Sequence, residues 1–236
     1  MNVTNKSLIS SRAAASLTIL RRSLRLHQWV KNLLIFVPLV LGGKGGQGAV
    51  WLIALVGFLA LGFAASATYI INDLRDLPDD RKHRSKSTRP LASGDLSIRA
   101  GIFIAIAGLG IGFTLAACIG LNAVTMLALY VGLSLSYSFY WKRVPIFDVF
   151  VLASLFTSRI VIGLVITDVR LSAWLLVFSM FVFVSLSMAK RYAEVLSLAG
   201  RGTMTVPGRG YVTNDAPLIL AVGTGAAMTA VLIMIL

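Results

Sequence analysis

Long, unbroken apolar runs set the strongest limit on what this chain can fold into. Seven of them lie at roughly 25–42, 49–72, 98–118, 121–140, 146–167, 172–189 and 216–236. Each approaches the roughly 20 residues that an α-helix needs to cross the hydrocarbon core of a bilayer. Strands of a membrane barrel are about half that length and alternate apolar with polar residues. Only 13% of the 236 residues are charged and the mean hydropathy is +0.85, whereas a soluble domain carries about 25% charge. The chain therefore reads as an all-α, polytopic transmembrane helical bundle of about seven spans. A basic N-terminal segment covers residues 1–23 and the transmembrane domain covers 24–236. Pro38 is expected to kink or interrupt the first span, and the glycines from 42 to 48 to turn the chain.

A formal net charge of +13 ordinarily suggests nucleic acid as a partner, but here the bases sit in the connections between apolar runs. Nineteen of the twenty-two Lys and Arg fall on one side, Lys44 and Arg170 fall on the other, and Arg159 lies inside a span. That asymmetry follows the positive-inside rule. The N-terminus and the candidate motifs are thus expected on the cytoplasmic side of the inner cell membrane, with anionic lipids or phosphate substrates as partners and no nucleic acid. The single cysteine, Cys118, excludes an intramolecular disulfide. Residues 13–20 lack a convincing cleavage site, so the first span is expected to be retained. The chain stops at VLIMIL, within or at the end of a span.

Against this background residues 72–80, NDLRDLPDD, stand out: four of the nine acidic residues of the chain fall there, directly after an apolar run. A helix continuing out of that run would carry Asp73, Asp76 and Asp80 on one face. With Asn72 they make a hard-oxygen set suited to Mg²⁺, which is typically held by a few carboxylates together with substrate phosphates. The following DRKHRSKSTRP adds Arg81, Lys82, Arg84, Lys86 and Arg89, a cationic cluster for phosphate oxygens. Acid, metal and base side by side at a membrane surface point to chemistry on a diphosphate. The plainer alternative is a solvated loop whose charges only set topology.

Arg159 lies in mid-span, where a charge is costly and normally faces a bundle interior or a ligand. Its expected counter-ion is a phosphate or a motif carboxylate; Asp148, eleven residues earlier, is too far along one helix. YSFYWKRVPIFD places Tyr137, Lys142 and Asp148 at the cytoplasmic ends of spans four and five, where an interfacial aromatic belt is the alternative. SMAKRYAEV is expected to end span six with Lys190, Arg191, Tyr192 and Glu194, the basic pair binding phosphate or merely anchoring the helix. Glu194, the one glutamate, would orient a base, bind a second metal or act as a base. QWVKN puts Lys31 and Asn32 at the entry of the first span, where snorkelling also accounts for the lysine. His27 and His83 form no recognisable metal motif.

NDLRDLPDDRKHRSKSTRP resembles the first aspartate-rich motif, NDxxDxxxD, of the UbiA superfamily of intramembrane prenyltransferases, matching it at Asn72, Asp73, Asp76 and Asp80. LRLHQWVKN, YSFYWK and AKRYAE extend the resemblance over about residues 24–200. These flanking motifs look most like the branch typified by decaprenyl-phosphate phosphoribosyltransferase. Aromatic prenyltransferases carry a second aspartate-rich motif after span six, where this chain reads KRYAEVLSLAGRG, without aspartate. The resemblance implies a nine-span fold, of which this chain supplies about seven. It also implies Mg²⁺-dependent transfer of phosphoribose from phosphoribosyl pyrophosphate (PRPP) to a polyprenyl phosphate, toward lipid-linked arabinose donors for envelope arabinan or arabinosylated nodulation signals. On that reading Asp73, Asp76, Asp80, Lys190 and Glu194 are catalytic and Asn72 completes the metal set. Lys31, Asn32, Arg81, Lys82, Tyr137, Lys142, Arg159, Arg191 and Tyr192 bind substrate.

The alternatives are transfer of a polyprenyl chain from its diphosphate to an aromatic acceptor, which the missing second motif disfavours, and a truncated, non-catalytic relative. A transporter would be expected to show inverted repeats with broken helices, and none is readable.

Overall fold

The computed structural model describes residues 17–170, 173–200 and 209–235. Among these, six helices are long and apolar enough to cross a membrane, and a broken pair makes a seventh candidate span. The pair is α1 (Leu17–Ser23) and α2 (Leu26–Leu41), bent by 51°. The break falls at Arg25, whose left-handed φ of 49° stops the helix. Pro38 does not interrupt this segment as expected. It sits at the start of the stretch Val37–Leu41, where its missing N–H costs nothing. The winding upstream is unusual: Leu26–Phe36 coil as an 11-residue 3-10 helix, where runs beyond about four residues are uncommon. Tertiary contacts hold it. The Trp29 indole donates to Ser66 Oγ at 2.9 Å, and that hydroxyl donates to the Leu24 carbonyl at 2.6 Å.

The remaining long helices are α3 (Gly48–Arg75), α6 (Ile98–Ile119), α7 (Leu121–Phe139), α8 (Phe147–Thr167), α9 (Ala173–Ala199) and α10 (Ala216–Ile235), with short helices α4 (Leu77–Lys82) and α5 (Pro90–Ser93) between α3 and α6. The 72–99 connection is therefore folded rather than an open loop. The sixth span is about ten residues longer than the apolar run suggests: α9 carries Lys190, Arg191, Tyr192 and Glu194 within its length instead of ending before them. Lys6, Arg12 and Arg201 lie outside the described residues.

Lipid tails are as apolar as leucine, so helices in a membrane gain by close approach of small side chains. Helix α6 buries Gly101, Ala105, Gly108, Gly112 and Ala116 along one stripe, which meets Ala60, Ala64 and Ala67 of α3. A Cβ on Gly112 would lie 2.9 Å from the Ala60 carbonyl oxygen, so no larger residue fits there without shifting α3. Helix α8 occupies the middle, burying Val149, Ala153, Leu155, Ile162 and Ile166 against neighbours on both sides. Its Gly163 lets the α2 backbone at Ile35 pass directly over it.

Both ends of the bundle are tied by cations on helix C-termini, where unpaired carbonyls concentrate negative charge. Arg75 donates to the carbonyls of Ser138 and Phe139 at the end of α7, the second at 2.9 Å. Lys44 donates to the Thr167 carbonyl at 2.9 Å at the opposite end of the bundle, closing α8. Replacing Gly163 by alanine should lower the thermal midpoint of the detergent-solubilised protein, at a cost of about 1–3 kcal/mol. Gly110→Ala, whose added methyl meets nothing within 4 Å, should leave the midpoint unchanged or raise it slightly. Equal midpoints for the two variants would refute the close-approach account of the α2–α8 contact.

Candidate active site

The acidic stretch does not continue α3 as one helix. Helix α3 ends at Arg75, Asp76 sits at the break with ψ near 4°, and α4 starts at once with Pro78 in its first turn. The break follows from local chemistry: Pro78 has no N–H for the Leu74 carbonyl four residues back and its ring crowds that carbonyl, whereas proline is welcome at a helix start. Folding the chain back here drops Asp73 and Asp80 into the protein, with Asp80 only 1% exposed, and leaves Asp76 half-buried.

Each motif carboxylate faces a cation from another element. Arg25 grips both oxygens of Asp73 at 2.6 and 2.7 Å. The Arg89 guanidinium donates to Asp73 at 2.9 Å and to Asp80 at 2.5 Å through one nitrogen, and so brings these two carboxylates together. Lys142, from the α7–α8 connection, donates to both oxygens of Asp76 at 2.6 Å. Among the described residues no three acidic, histidine or cysteine side chains close on one point. The donor chemistry nevertheless suits Mg²⁺. Asn72, Asp76 and Asp80 line one cavity, and Asp80 Oδ1 is buried without a hydrogen-bond partner. Mg²⁺ completes its shell with water and phosphate rather than with an all-protein cage.

That cavity, of about 520 Å³, is bounded by Asn72 and Asp76 at the α3–α4 break, by Lys82, Lys86 and Arg89 from the α4–α5 stretch, and by Tyr137 and Lys142 from the α7–α8 end, with Arg143 and Arg209 beside them. Arg81, expected to share in phosphate binding, is exposed on α4 and does not line the cavity. A second cationic group sits at the α2 entry: Lys31 lies within electrostatic reach of Arg159, Lys190 and Arg25, and its ammonium stands 5.6 Å from the Phe156 ring.

Arg159 does not meet a motif carboxylate. It is 4% exposed, donates to Asn32 Oδ1 at 3.1 Å and to the Tyr130 hydroxyl at 3.0 Å, and lies 5.2 Å from the Phe156 ring. These bonds tie α2, α7 and α8 at one point. Asn32, 1% exposed, is thus an internal partner of Arg159 and not a cavity residue.

The expectations on α9 divide. Arg191 is 2% exposed and committed to Asp148 at 2.8 Å and Glu194 at 3.0 Å, so it is a buried ion-pair member, not a free phosphate ligand. Glu194 orients Arg191 and, at 3.6 Å, Arg209. Lys190 is exposed. Tyr192 turns away, into an apolar groove with Met188, Ile219 and Gly223.

Asp148, fully buried, also accepts a 2.5 Å hydrogen bond from Tyr211 in the segment before α10. Burial, and then this bond, push the Tyr211 hydroxyl well above its ordinary range, so it stays a donor. The reading of the sequence passed over Arg25, Arg209 and Tyr211 as site members. Arg25 carried a signal, as part of LRLHQWVKN; Tyr211 lies 63 residues from its partner, with none. Asp148→Ala strands the buried Arg191 guanidinium and should cost about 3–5 kcal/mol in unfolding experiments. Asp148→Leu with Arg191→Met should recover part of that loss. A single mutant as stable as wild type would refute the pairing.

A family profile described as the UbiA prenyltransferase family matches residues 33–236. Uncharacterized protein y4nM of Sinorhizobium fredii is 42% identical over 90% of this chain and 41% of its own length. Nodulation protein NoeC of Azorhizobium caulinodans is 34% identical over 88% of this chain and 67% of its own. Decaprenyl-phosphate phosphoribosyltransferase of Corynebacterium glutamicum is 36% identical over 74% and 54%. The chain thus spans from about two fifths to two thirds of the length of these relatives. The solved structure of a UbiA homolog from Archaeoglobus fulgidus bound to GPP and Mg²⁺ superposes with a TM-score of 0.75, at 21% identity, over 90% of this chain and 75% of that one. Its match is one of fold. Profile, relatives and fold agree with the motif that breaks α3: this multi-pass membrane protein belongs to the UbiA prenyltransferase family.

Proposed function

We propose that this chain carries the site of a transferase that moves phosphoribose from PRPP to a polyprenyl phosphate and releases pyrophosphate. The observation that carries this reading is the lining of the cavity at the acidic motif. Among the described residues it holds no aliphatic side chain and Tyr137 as its one Phe, Tyr or Trp, and its cations come from three separate elements, the α4–α5 stretch, the α7–α8 connection and the segment before α10. A prenyl diphosphate offers one diphosphate and a long apolar tail, and an aromatic acceptor needs an apolar face. PRPP is polar throughout and carries phosphate at both ends of the sugar, which matches cations on separate walls. The phosphoribosyltransferase relatives support the same reading.

Asn72, Asp76 and Asp80, with Asp73 behind them, would hold Mg²⁺, which neutralises charge on a departing pyrophosphate. Lys82, Arg89 and Lys142, which line the same cavity, act as preorganised electrostatic stabilisers as the C1–oxygen bond breaks. A phosphate oxygen of the lipid then bonds to C1. It is already an anion, so it needs positioning rather than a base. Lys31 and Lys190, at the entry between α2 and α9, hold that phosphate. Arg159 fixes α2 behind them through Asn32. Charge supports the orientation: the end of the bundle that carries the motif also carries the excess of Lys and Arg, which favours a site on the cytoplasmic face of the inner membrane. The product would enter lipid-linked arabinose donors, and the NoeC relative favours nodulation signals over envelope arabinan as their destination.

Membranes holding the chain, given Mg²⁺ and labelled PRPP, should pass label into the organic phase only when polyprenyl phosphate is added. Asp76→Asn should reduce that rate by about 10²-fold or more while the protein remains folded. Label passing instead from a prenyl diphosphate to an aromatic acid, with none from PRPP, would overturn the reading.

A further inference from the structure

Among the described residues, three of the six lysines and arginines that line the cavity are already committed to motif carboxylates: Arg89 to Asp73 and Asp80, Lys142 to Asp76, and Lys86, more loosely, to Asp80. Arg209 is one of the other three, with Lys82 and Arg143. It lines the same cavity but touches no motif carboxylate. Its nearest acids, Asp148 and Glu194, are each 3.6 Å away, and its Nη1 is buried without a hydrogen bond. Its guanidinium thus borders a polar cavity with hydrogen-bonding capacity left over, and guanidinium is a strong donor to oxyanions.

The placement of Arg209 is built, not incidental. Two residues on, Tyr211 is 2% exposed and is held from both sides. Its hydroxyl donates to Asp148 at 2.5 Å and accepts from the Ile146 backbone N–H at 2.7 Å. Ile146 has φ of 69°, a conformation a β-branched residue adopts only where its surroundings compel it. Between the two, Gly210 lies so close to the α7–α8 turn that a Cβ would stand 2.5 Å from the Arg143 carbonyl oxygen. The segment before α10 is therefore latched onto the α7–α8 turn, and the latch delivers Arg209 to the cavity wall.

We propose that Arg209 is a substrate-binding residue that contacts the sugar-borne phosphate of the donor, and that Tyr211 and Asp148 are its positioning residues. This rests on the PRPP reading, because only that donor carries a phosphate apart from the leaving pyrophosphate. Asn72, Asp76 and Asp80, which would hold the metal, and Arg89 and Lys142 beside them serve the leaving pyrophosphate. The second phosphate needs a cation free of those carboxylates, and Arg209 supplies it.

Two probes separate these roles: ribose 5-phosphate, and inorganic pyrophosphate with Mg²⁺, each titrated against the whole chain in detergent or nanodiscs. Wild type should bind both. Arg209→Ala should lose ribose 5-phosphate affinity by about tenfold or more while keeping its pyrophosphate affinity, and Arg209→Lys should recover part of the loss. Tyr211→Phe, which keeps the ring but not the hydroxyl, should show a smaller loss of the same selectivity. In turnover the effect should appear in KM for PRPP and not in KM for the lipid. If Arg209→Ala binds ribose 5-phosphate as well as wild type does, or loses both ligands equally, the assignment of Arg209 is overturned and the PRPP reading stands. If wild type binds pyrophosphate but no ribose 5-phosphate, the donor reading falls and the role of Arg209 with it.

Discussion

A charge drawn below the surface of a membrane protein must meet a partner, and here nearly every such partner comes from a different helix. Arg25 closes on Asp73, Lys142 on Asp76, Arg191 on Asp148, and Arg159 on Asn32 and Tyr130. Removing one member of such a pair leaves an uncompensated charge in a poorly solvating interior, a penalty of several kcal/mol. These contacts therefore specify which helices meet and at what height. The Asp148 cluster joins α8, α9 and the segment before α10. The Arg159 cluster joins α2, α7 and α8. The two acid–base pairs at the end of α3 join it to the start of α2 and to the α7–α8 turn.

Polar clamps of this kind work because the helices can come close enough for them. The small-residue stripe between α3 and α6 and the glycine contact of α8 with α2 bring backbones together, where dispersion replaces the hydrophobic driving force that lipid does not supply. Close packing lower in the bundle leaves the ends of α3, α7 and α9 converging at one level. The cavity forms there because proline breaks α3 at Asp76 and returns the chain as α4 and α5 instead of letting it run into water. The same arrangement explains the economy of the site. Arg89 and Lys142, which pair with the motif carboxylates, also line the cavity.

The parts legible in the sequence were those with a strong contrast against their background. Span positions followed from apolar length, and the acidic motif stood out as four carboxylates in a basic, apolar chain. Lys142 was legible because it sits at a span end beside aromatics, and it does enter the cavity. Assignments that depended on where a side chain points were not legible. Lys190, Arg191 and Tyr192 are neighbours in sequence, yet α9 turns about 100° per residue. One is exposed, one is buried against Asp148 and one enters an apolar groove.

The sequence by itself determined the membrane class, the approximate spans, the family motif and the end of the bundle at which the charges gather. Each of these is a local property: hydrophobic length, charge bias, or residue types at fixed spacing. Only the tertiary structure decided that Arg191 is buried against Asp148 while Arg209 borders the cavity, that Arg159 leans on Asn32 rather than on an acid, and that Tyr211 reaches back to Asp148 and Ile146. Those outcomes depend on contacts between residues 43 to 127 positions apart. No local pattern encodes such pairings; they follow from helices packing at heights and rotations set by the whole bundle.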